Sequence, residues 1–292
     1  MKILEPLKIA FFGFVLVFAF SSCDKIEGEG PFFETGSGGN GVDTSTGIVR
    51  KVLIEDFTGH TCGNCPRAAE TAASLKQLYG EQLVVVAVHM GFFATPKSNP
   101  DSSYSSDYRT TMGSELDASF GIDATGLPRG MVNRTQVSGN ELLAHAGWGA
   151  ATQALVDLAP DMDIGISNTY ENSTRTVTTE VTSTFESNLS GTYNVVVILT
   201  EDSIVDWQKD YDLPSGQQDI EFYVHRHVLR KSFNGTWGDE IASGSASAGA
   251  ASTNTYNMAL PTGWDEDHCA VVAYVYETTS NEIVQVEEAH VK

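Results

Sequence analysis

Basic residues are scarce in this chain of 292 residues, which has 17 Lys and Arg against 38 Asp and Glu and a formal net charge of −21. A protein this acidic lacks the cationic contacts that nucleic acid phosphates require. It also lacks the positive charge that docks proteins onto anionic lipid headgroups. We therefore expect no nucleic acid partner, and we interpret the charge as the solvated surface of an exported protein rather than as an acid-specific binding face.

Common catalytic motifs are also missing. The sequence has no Gly-rich phosphate loop and no serine-nucleophile motif of the GxSxG kind. His225 and His227 are two residues apart on a predicted strand and would share a face, but no third ligand can be placed near them. The sequence therefore predicts no metal site and no cofactor.

The only candidate for membrane attachment is at the N-terminus. Lys2 and Lys8 precede an apolar run at residues 9–20, which is too short to span a bilayer as a helix. Ser-Ser-Cys follows, and the whole segment resembles a bacterial lipoprotein signal. The resemblance implies a signal peptide over residues 1–22 and an acylated Cys23 held in outer-membrane lipid. An ordinary signal peptide, with Cys23 as a free thiol, is the alternative.

Residues 23–47 are rich in Gly, Ser, Thr and acidic residues and show no helical or strand periodicity. This composition predicts a flexible tether between the anchor and the folded part of the chain.

Cysteine is rare, with four residues in the chain, and two of them form a Cys-x-x-Cys motif at Cys62 and Cys65. The motif follows an apolar strand pattern and precedes a helical pattern at residues 67–79. A helix N-terminus carries unpaired N–H groups and a positive dipole end, which favour the reactive thiolate. The oxidising exported compartment allows a Cys62–Cys65 disulfide. Cys269 opens the apolar run CAVVAYVY and is interpreted as a buried small hydrophobic residue.

This arrangement resembles the redox centre of thioredoxin-type proteins, in which one cysteine attacks a disulfide and the second resolves the mixed disulfide. Cys62 would be the attacking thiolate and Cys65 the resolving thiol. Asp56 lies six residues before Cys62, at the offset of the buried acid of thioredoxin, and is the candidate proton acceptor. Because strand neighbours face opposite ways, Glu55 is the alternative internal acid.

Two further residues fit the same resemblance. Pro128 lies 66 residues after Cys62, and Leu127-Pro128 resembles the cis-proline loop that presents backbone groups to a bound substrate. A trans turn proline is the alternative. His60 is a candidate for tuning the thiolate or binding substrate, and an exposed loop histidine is the competing interpretation.

The fold predicted from these patterns has two parts. Residues 48–160 show the βαβ order of an α/β thioredoxin-like domain, with further helices predicted at residues 107–120 and 145–158. Residues 161–292 show strand patterns without helices and predict an all-β, immunoglobulin-like sandwich domain. One of its strands is predicted at residues 221–230, and residues 243–252 are predicted to be a flexible loop.

A closer resemblance rests on IEDFTGHTCGNCP at residues 54–66, on Gly126-Leu127-Pro128 and on the C-terminal strand patterns. Together they resemble the 28-kilodalton outer-membrane-protein family of Bacteroidetes lipoproteins. The resemblance implies a thioredoxin-like domain, a following β-sandwich and an outer-membrane location. The sequence departs from thioredoxin at Thr61, where Trp is usual, and at Asn64, where Pro is usual, which leaves the redox potential and the choice of partner open.

The function predicted from the sequence is a lipid-anchored thiol–disulfide oxidoreductase of the cell envelope, acting on exported or surface proteins with thiols or disulfides. The alternative is a non-catalytic binding or structural lipoprotein in which the Cys62–Cys65 disulfide stabilises a turn. The first prediction requires Pro128 to lie near the sulfur pair, and the two sulfurs not to face a closed interior.

Overall fold

A computed structural model of the chain describes residues 47–292. The predicted signal peptide, the predicted lipidation site Cys23 and the tether up to residue 46 lie outside the described residues. No helix within residues 47–292 is long and apolar enough to cross a membrane.

The βαβ unit predicted around the cysteine motif is present. Strands β1 (Val52–Thr58) and β2 (Leu83–His89) pair in parallel, and helix α1 (Cys65–Tyr79) crosses over between them. All seven residues of β1 are buried, because helices cover one face of the sheet here and apolar side chains cover the other. The remaining helices and the remaining strand of this part of the chain are α2 (Thr111–Phe120), α3 (Ile122–Thr125), β3 (Arg129–Val132) and α4 (Trp148–Val156). Short 3-10 turns lie at Gly80–Gln82, Phe92–Ala94 and His145–Gly147.

Residues 161–292 form strands and no helix, in agreement with the sequence pattern. The strands are β4 (Met162–Glu171), β5 (Thr176–Phe185), β6 (Leu189–Ser190), β7 (Tyr193–Glu201), β8 (Ile204–Lys209), β9 (Asp219–His225), β10 (Val228–Ser232), β11 (Asp239–Ala242), β12 (Ser245–Ala246), β13 (Ala251–Ala259), β14 (Cys269–Glu277) and β15 (Ile283–His290).

Two details of the strand prediction are wrong. Residues 221–230 are not one strand: β9 ends at His225, His227 has a φ of 54°, and β10 begins at Val228. The chain turns there from a separate hairpin into the main sheet, so His225 and His227 do not share a strand face. Residues 243–252 are not simply a loop, since they contain β12 and the first residues of β13, which pairs with β5 over its full length.

One long sheet crosses the predicted domain boundary at residue 160. Its strand order is β15-β14-β7-β10-β2-β1-β3, with β11 also paired to β7. The two parts meet where Val228 of β10 pairs in parallel with Ala87 of β2, and the amide of Ala87 donates to the carbonyl of His227 at 2.8 Å. On the other side of β10, Val228 pairs with Glu201 of β7. The described residues all belong to one compact unit.

The apolar cores follow the alternation of these strands. Val195, Val197 and Leu199 of β7 face the three-stranded sheet β13-β5-β4, which gives a sandwich at that end. Val196 and Ile198 face the opposite way and join a cluster that also contains residues of β1, β2 and α2. The coarse prediction of a mixed α/β chain with antiparallel strands in its second part is confirmed, and the structure adds a cluster shared by both parts.

Candidate functional site

The cysteine motif lies where β1 ends and α1 begins. The turn after β1 is pressed against residue 93: a Cβ on Gly59 would lie 2.7 Å from the Phe93 carbonyl oxygen, and the amide of Thr61 donates to that oxygen at 3.0 Å. Helix α1 then starts at Cys65, two residues earlier than the sequence pattern predicts, with Pro66 in its first turn, where the missing N–H costs nothing. The motif is therefore held at a helix N-terminus, as predicted.

Cys62 and Cys65 form a disulfide, with their Cα atoms 5.4 Å apart. The disulfide predicted from the sequence is thus present. Both cysteines are 2% exposed. The sulfur pair is therefore enclosed in this arrangement of the chain, so the requirement that the sulfurs not face a closed interior is not met here. Disulfide exchange requires an accessible sulfur.

The enclosure comes from a distant part of the chain, the hairpin β8–β9, which we call the cover hairpin (residues 204–225). The amide of Lys209 donates to the carbonyl of His60 and the amide of Tyr211 to that of Gly63, both at 2.8 Å. The side-chain amide of Gln208 donates to the carbonyl of Cys62 at 3.1 Å. The cover hairpin therefore binds the backbone of the motif itself.

Two side-chain contacts fasten the tip of the cover hairpin. The ring of Tyr211 packs on Gly63 so closely that a Cβ at that position would lie 2.5 Å from the ring. Arg67, in the first turn of α1, forms a bidentate ion pair with Asp212. This ion pair is exposed, and such pairs contribute at most about 1 kcal/mol.

Asp56 lies beneath the disulfide, on the side of the sheet covered by α1. Its side chain is 3% exposed, and its Oδ1 has no hydrogen-bond partner. Burial raises the pKa of Asp56 to about 7. Asp56 and Cys65 together line a cavity of about 30 Å³, a volume that can hold one water molecule. A carboxyl with this pKa can take up or release the proton of the resolving thiol near neutral pH.

Glu55, the alternative acid, is also buried but lies on the opposite face of the sheet. Its two carboxylate oxygens accept from the guanidinium of Arg134 at 2.7 and 2.8 Å, and Arg134 also donates to the Tyr274 hydroxyl at 2.9 Å. Strand alternation thus separates the two neighbouring acids. Asp56 faces the cysteines, while Glu55 belongs to a buried ion pair that reaches strand β14.

The Leu127–Pro128 peptide bond is cis, as the sequence resemblance implies. Leu127 and Pro128 line a surface pocket of about 250 Å³ together with Asn64 and Arg67 of the motif region. The loop therefore lies beside the first turn of α1, on the side that the cover hairpin leaves open.

His60 is 1% exposed, so its interpretation as an exposed loop histidine is wrong. Its ring lies 5.6 Å from that of Tyr104 and 6.2 Å from that of Tyr108, which close over it. Burial lowers the pKa of His60 below its usual range. The buried His89 and His225 contact the same Tyr108 ring. A role for His60 in substrate binding stays a prediction, since its ring is enclosed here.

Cys269 is a buried free cysteine on β14, as expected. Burial raises the pKa of its thiol to about 12, which keeps it protonated and unreactive.

Sequence reasoning missed the residues that close the site. Gln208, Tyr211 and Asp212 lie about 145 residues after the motif and form no recognisable pattern with it. The one available signal is the alternating strand-like run of residues 204–209 followed by a polar turn, which indicates a hairpin but not where it packs.

Comparisons with known proteins place the chain among outer-membrane proteins. The family model described as "Outer membrane protein Omp28" matches residues 115–292. The match includes Leu127 and Pro128 and begins after the Cys-x-x-Cys motif. No curated protein matches the chain.

Among solved structures, HBP35 of Porphyromonas gingivalis is similar to this chain with a TM-score of 0.62 at 16% identity, covering 83% of this chain and 76% of HBP35. Protein AGR_C_4864 of Agrobacterium tumefaciens gives a TM-score of 0.47 at 14% identity over 84% of this chain and 96% of its own. A domain of the outer membrane lipoprotein Omp28 from P. gingivalis gives 0.31 at 19% identity over 46% of this chain and 89% of its own. At these identities the likeness to HBP35 concerns the fold alone.

Proposed function

The chain belongs to the Omp28 family of outer-membrane lipoproteins, and from that premise we propose that it is a thiol–disulfide oxidoreductase of the cell envelope whose sulfur pair is closed by the cover hairpin. Cys23 carries the lipid anchor, and residues 48–160 form a thioredoxin-like catalytic part attached to an immunoglobulin-like sandwich (residues 161–292). Substrates are exported or surface proteins with thiols or disulfides.

The observation that carries this proposal is the buried Asp56 behind Cys65. Burying a carboxyl without a partner costs stability, and a disulfide that only stabilises a turn gains nothing from such a group. Thiol exchange can use it as a positioned proton donor and acceptor. When a substrate thiolate attacks Cys62 Sγ, the sulfur–sulfur bond breaks with its electron pair on Cys65, and Asp56 supplies the proton that neutralises the new thiolate.

The reverse direction uses the same groups. With both cysteines reduced, the Cys62 thiolate attacks a substrate disulfide and forms a mixed disulfide, releasing one substrate thiolate. Asp56 then takes the proton of Cys65, whose thiolate attacks Cys62 Sγ and releases the second substrate thiolate. The substrate gains two electrons, and the Cys62–Cys65 disulfide re-forms.

Both directions need the cover hairpin to move, since Cys62 is enclosed. The cis loop at Leu127–Pro128 remains accessible beside Asn64 and Arg67, so a substrate chain can first contact that loop and then reach Cys62 as the hairpin opens. His60 comes within reach of the substrate in the same opening.

A second candidate function is favoured by the burial of the sulfurs. In this alternative the protein is a non-catalytic binding or structural lipoprotein, and the disulfide holds the motif turn against the cover hairpin.

Trapping of mixed disulfides in the native host separates the two candidates. Cys65→Ser leaves Cys62 unable to resolve, so the oxidoreductase accumulates complexes with partner proteins that disappear on reduction. Cys62→Ser/Cys65→Ser is the matched control and gives none. Absence of trapped partners in Cys65→Ser, while Cys62 reacts with an alkylating reagent in the same cells, would support the non-catalytic alternative.

A further inference from the structure

A second, larger cavity lies behind the disulfide, between α1, β2 and the end of the cover hairpin. Its volume is about 290 Å³, and Asp56 lines it as well as the small cavity shared with Cys65. The cavity lies on the β2 side of Asp56, whereas the cis-proline loop leads into β3, which pairs with the other edge of β1, and lines a different pocket. It is therefore separate from the surface on which a substrate chain would bind.

The walls of this cavity are apolar and formed largely by small side chains. Ala69, Ala72 and Ala73 of α1 face Val85 and Ala87 of β2 across it. Alanine side chains end at Cβ, so the helix and the sheet leave space between them where larger apolar residues would fill a core. Apolar walls of this kind are typical of sites for small organic ligands, and the volume is at the lower end of their range.

The most deeply buried polar group in this wall is Asp56. Oδ1 of Asp56 has no hydrogen-bond partner, and its side chain is almost fully buried. A buried polar atom without a partner costs free energy that a hydrogen-bonding ligand would recover. The half-buried Tyr223 and His227 also line the cavity. The exposed Arg226 and Glu70 lie at its opening, where Arg226 pairs with Asp202 at 3.5 Å.

We propose that this cavity binds a small neutral amphipathic molecule, with its apolar body against the alanine wall and an amide or hydroxyl end group hydrogen-bonded to Asp56. A neutral end group is favoured because an anionic one meets a carboxylate whenever Asp56 is ionised, and a cationic one is costly to bury. This binding site goes beyond the proposed thiol chemistry, since the oxidised protein already contains it complete.

Binding of octanamide to the full-length oxidised protein tests the proposal. We expect saturable binding by calorimetry and ligand-observed NMR at pH 8. Octanoate, which has the same alkyl chain, binds at least about tenfold more weakly at this pH, because Asp56 is then ionised and repels it. In Asp56→Asn, octanamide binding is retained while the discrimination against octanoate is reduced. No saturable binding of octanamide to the wild type overturns the proposal.

Filling the cavity provides the matched test. Ala69 is half-buried in the cavity wall, and Ala69→Leu places three additional carbon atoms there, so octanamide binding falls at least about tenfold. Ala118→Leu makes the same change at an exposed position of α2 and leaves binding unchanged. If Ala69→Leu does not fold, Ala73→Leu at the exposed opening of the cavity replaces it, and the same loss of octanamide binding is expected. Equal binding by wild type and the cavity variants, or equal loss in Ala118→Leu, excludes this site.

The result is independent of the proposed oxidoreductase activity. Binding is measured with the disulfide intact, so a failure to trap mixed disulfides leaves it unaffected. A failure to bind octanamide equally leaves the trapping result unaffected.

Discussion

Asp56 and Glu55 are adjacent acids in one strand, and their surroundings give them opposite chemistry. Asp56 has no cationic partner among the described residues that contact it, so burial alone determines its pKa. Glu55 is paired with a guanidinium that is itself buried. The sequence predicted the internal position of Asp56 because its offset from Cys62 is local. It could not predict the burial of Glu55, because Arg134 lies 79 residues away.

Asp56→Asn is expected to stabilise the protein at alkaline pH. The folded state keeps the Asp56 proton up to pH about 7, whereas the unfolded chain loses it near pH 3.9. The folded state therefore binds more protons between these values, and Asp56 lowers the free energy of unfolding as pH rises through this window. At pH 8 the variant should be more stable by on the order of 4 kcal/mol, with little gain at pH 3.5.

Urea unfolding of the wild type and Asp56→Asn at both pH values measures the difference. Asp157→Asn, at an exposed position after α4, is the control and should change stability by less than about 0.5 kcal/mol. Equal stability of wild type and Asp56→Asn at pH 8 would show that Asp56 is not buried as described.

Arg134→Met is expected to destabilise the protein by about 3–5 kcal/mol, because it leaves the Glu55 carboxylate buried without a partner. Arg109→Met removes the exposed pair with Asp107 and should cost less than about 1 kcal/mol. The double variant Glu55→Met/Arg134→Met should recover part of the loss, since no buried charge then remains. Chemical denaturation at pH 7 gives all three values, and equal effects of the two single variants would contradict the burial of the pair.

At the level of elements, the cover hairpin lies over the disulfide and is hydrogen-bonded to the backbone of the motif. Its outer face carries exposed apolar side chains, including Phe222 at 74% exposure, while its inner face binds the motif backbone. Besides its contacts with the motif, the hairpin accepts hydrogen bonds from the hydroxyls of Tyr104 and Tyr108 through Asp219 and Asp206. Exposing the sulfurs therefore requires breaking these bonds as well.

Tyr211→Ala is expected to speed reduction of the Cys62–Cys65 disulfide by dithiothreitol about tenfold. The Tyr211 ring is about half exposed, and removing its buried half costs on the order of 1–2 kcal/mol of closure. Phe222→Ala, on the outer face of the same hairpin, is the matched control and should leave the rate unchanged. Quenched alkylation followed by mass spectrometry measures the rate. Equal rates in Tyr211→Ala and wild type would mean that the hairpin does not limit access.

Some elements were predictable and others were not, for physical reasons. The βαβ unit follows from continuous apolar runs and helical spacing close together in sequence. The break between β9 and β10 was missed because residues 221–230 contain no Gly, Pro, Asn or Asp that would mark a turn, and the turn is made instead at His227, whose φ is 54°. Strand β13 was missed because its first residues are small and polar and do not favour a strand by themselves. Its extended conformation is stabilised by pairing with β5, which lies more than 60 residues away in the sequence.

On the scale of the whole molecule, the predicted boundary at residue 160 separates two kinds of secondary structure, and each part has an apolar cluster of its own, but a third cluster contains residues from both parts. The long sheet passes from β10 to β2, and the apolar cluster on its face contains Phe57 and Leu116 together with Ile198 and Tyr274. The composition changes at residue 160, which the sequence shows. Sheet continuity depends on pairing between residues 87 and 228, which the sequence does not show.

Residues 47–160 alone are therefore expected not to fold, because β2 loses its β10 neighbour and the shared cluster is exposed to water. Residues 47–292 should unfold in one transition, with circular dichroism and tryptophan fluorescence giving the same urea midpoint. Dispersed NMR spectra from residues 47–160, or two separate transitions in the longer chain, would show instead that the two parts fold independently.

The pairing of Glu201 with Val228 has a practical consequence. The antiparallel strands β7 and β10 already meet at the point where the chain leaves for the cover hairpin and returns from it. The segment between Glu201 and Val228, which contains the cover hairpin, can therefore be replaced by a tight turn that joins β7 directly to β10, without altering the register of either strand. Such a shortened protein would lack the cover hairpin, so the chemistry of the sulfur pair could be measured without the step in which the hairpin opens.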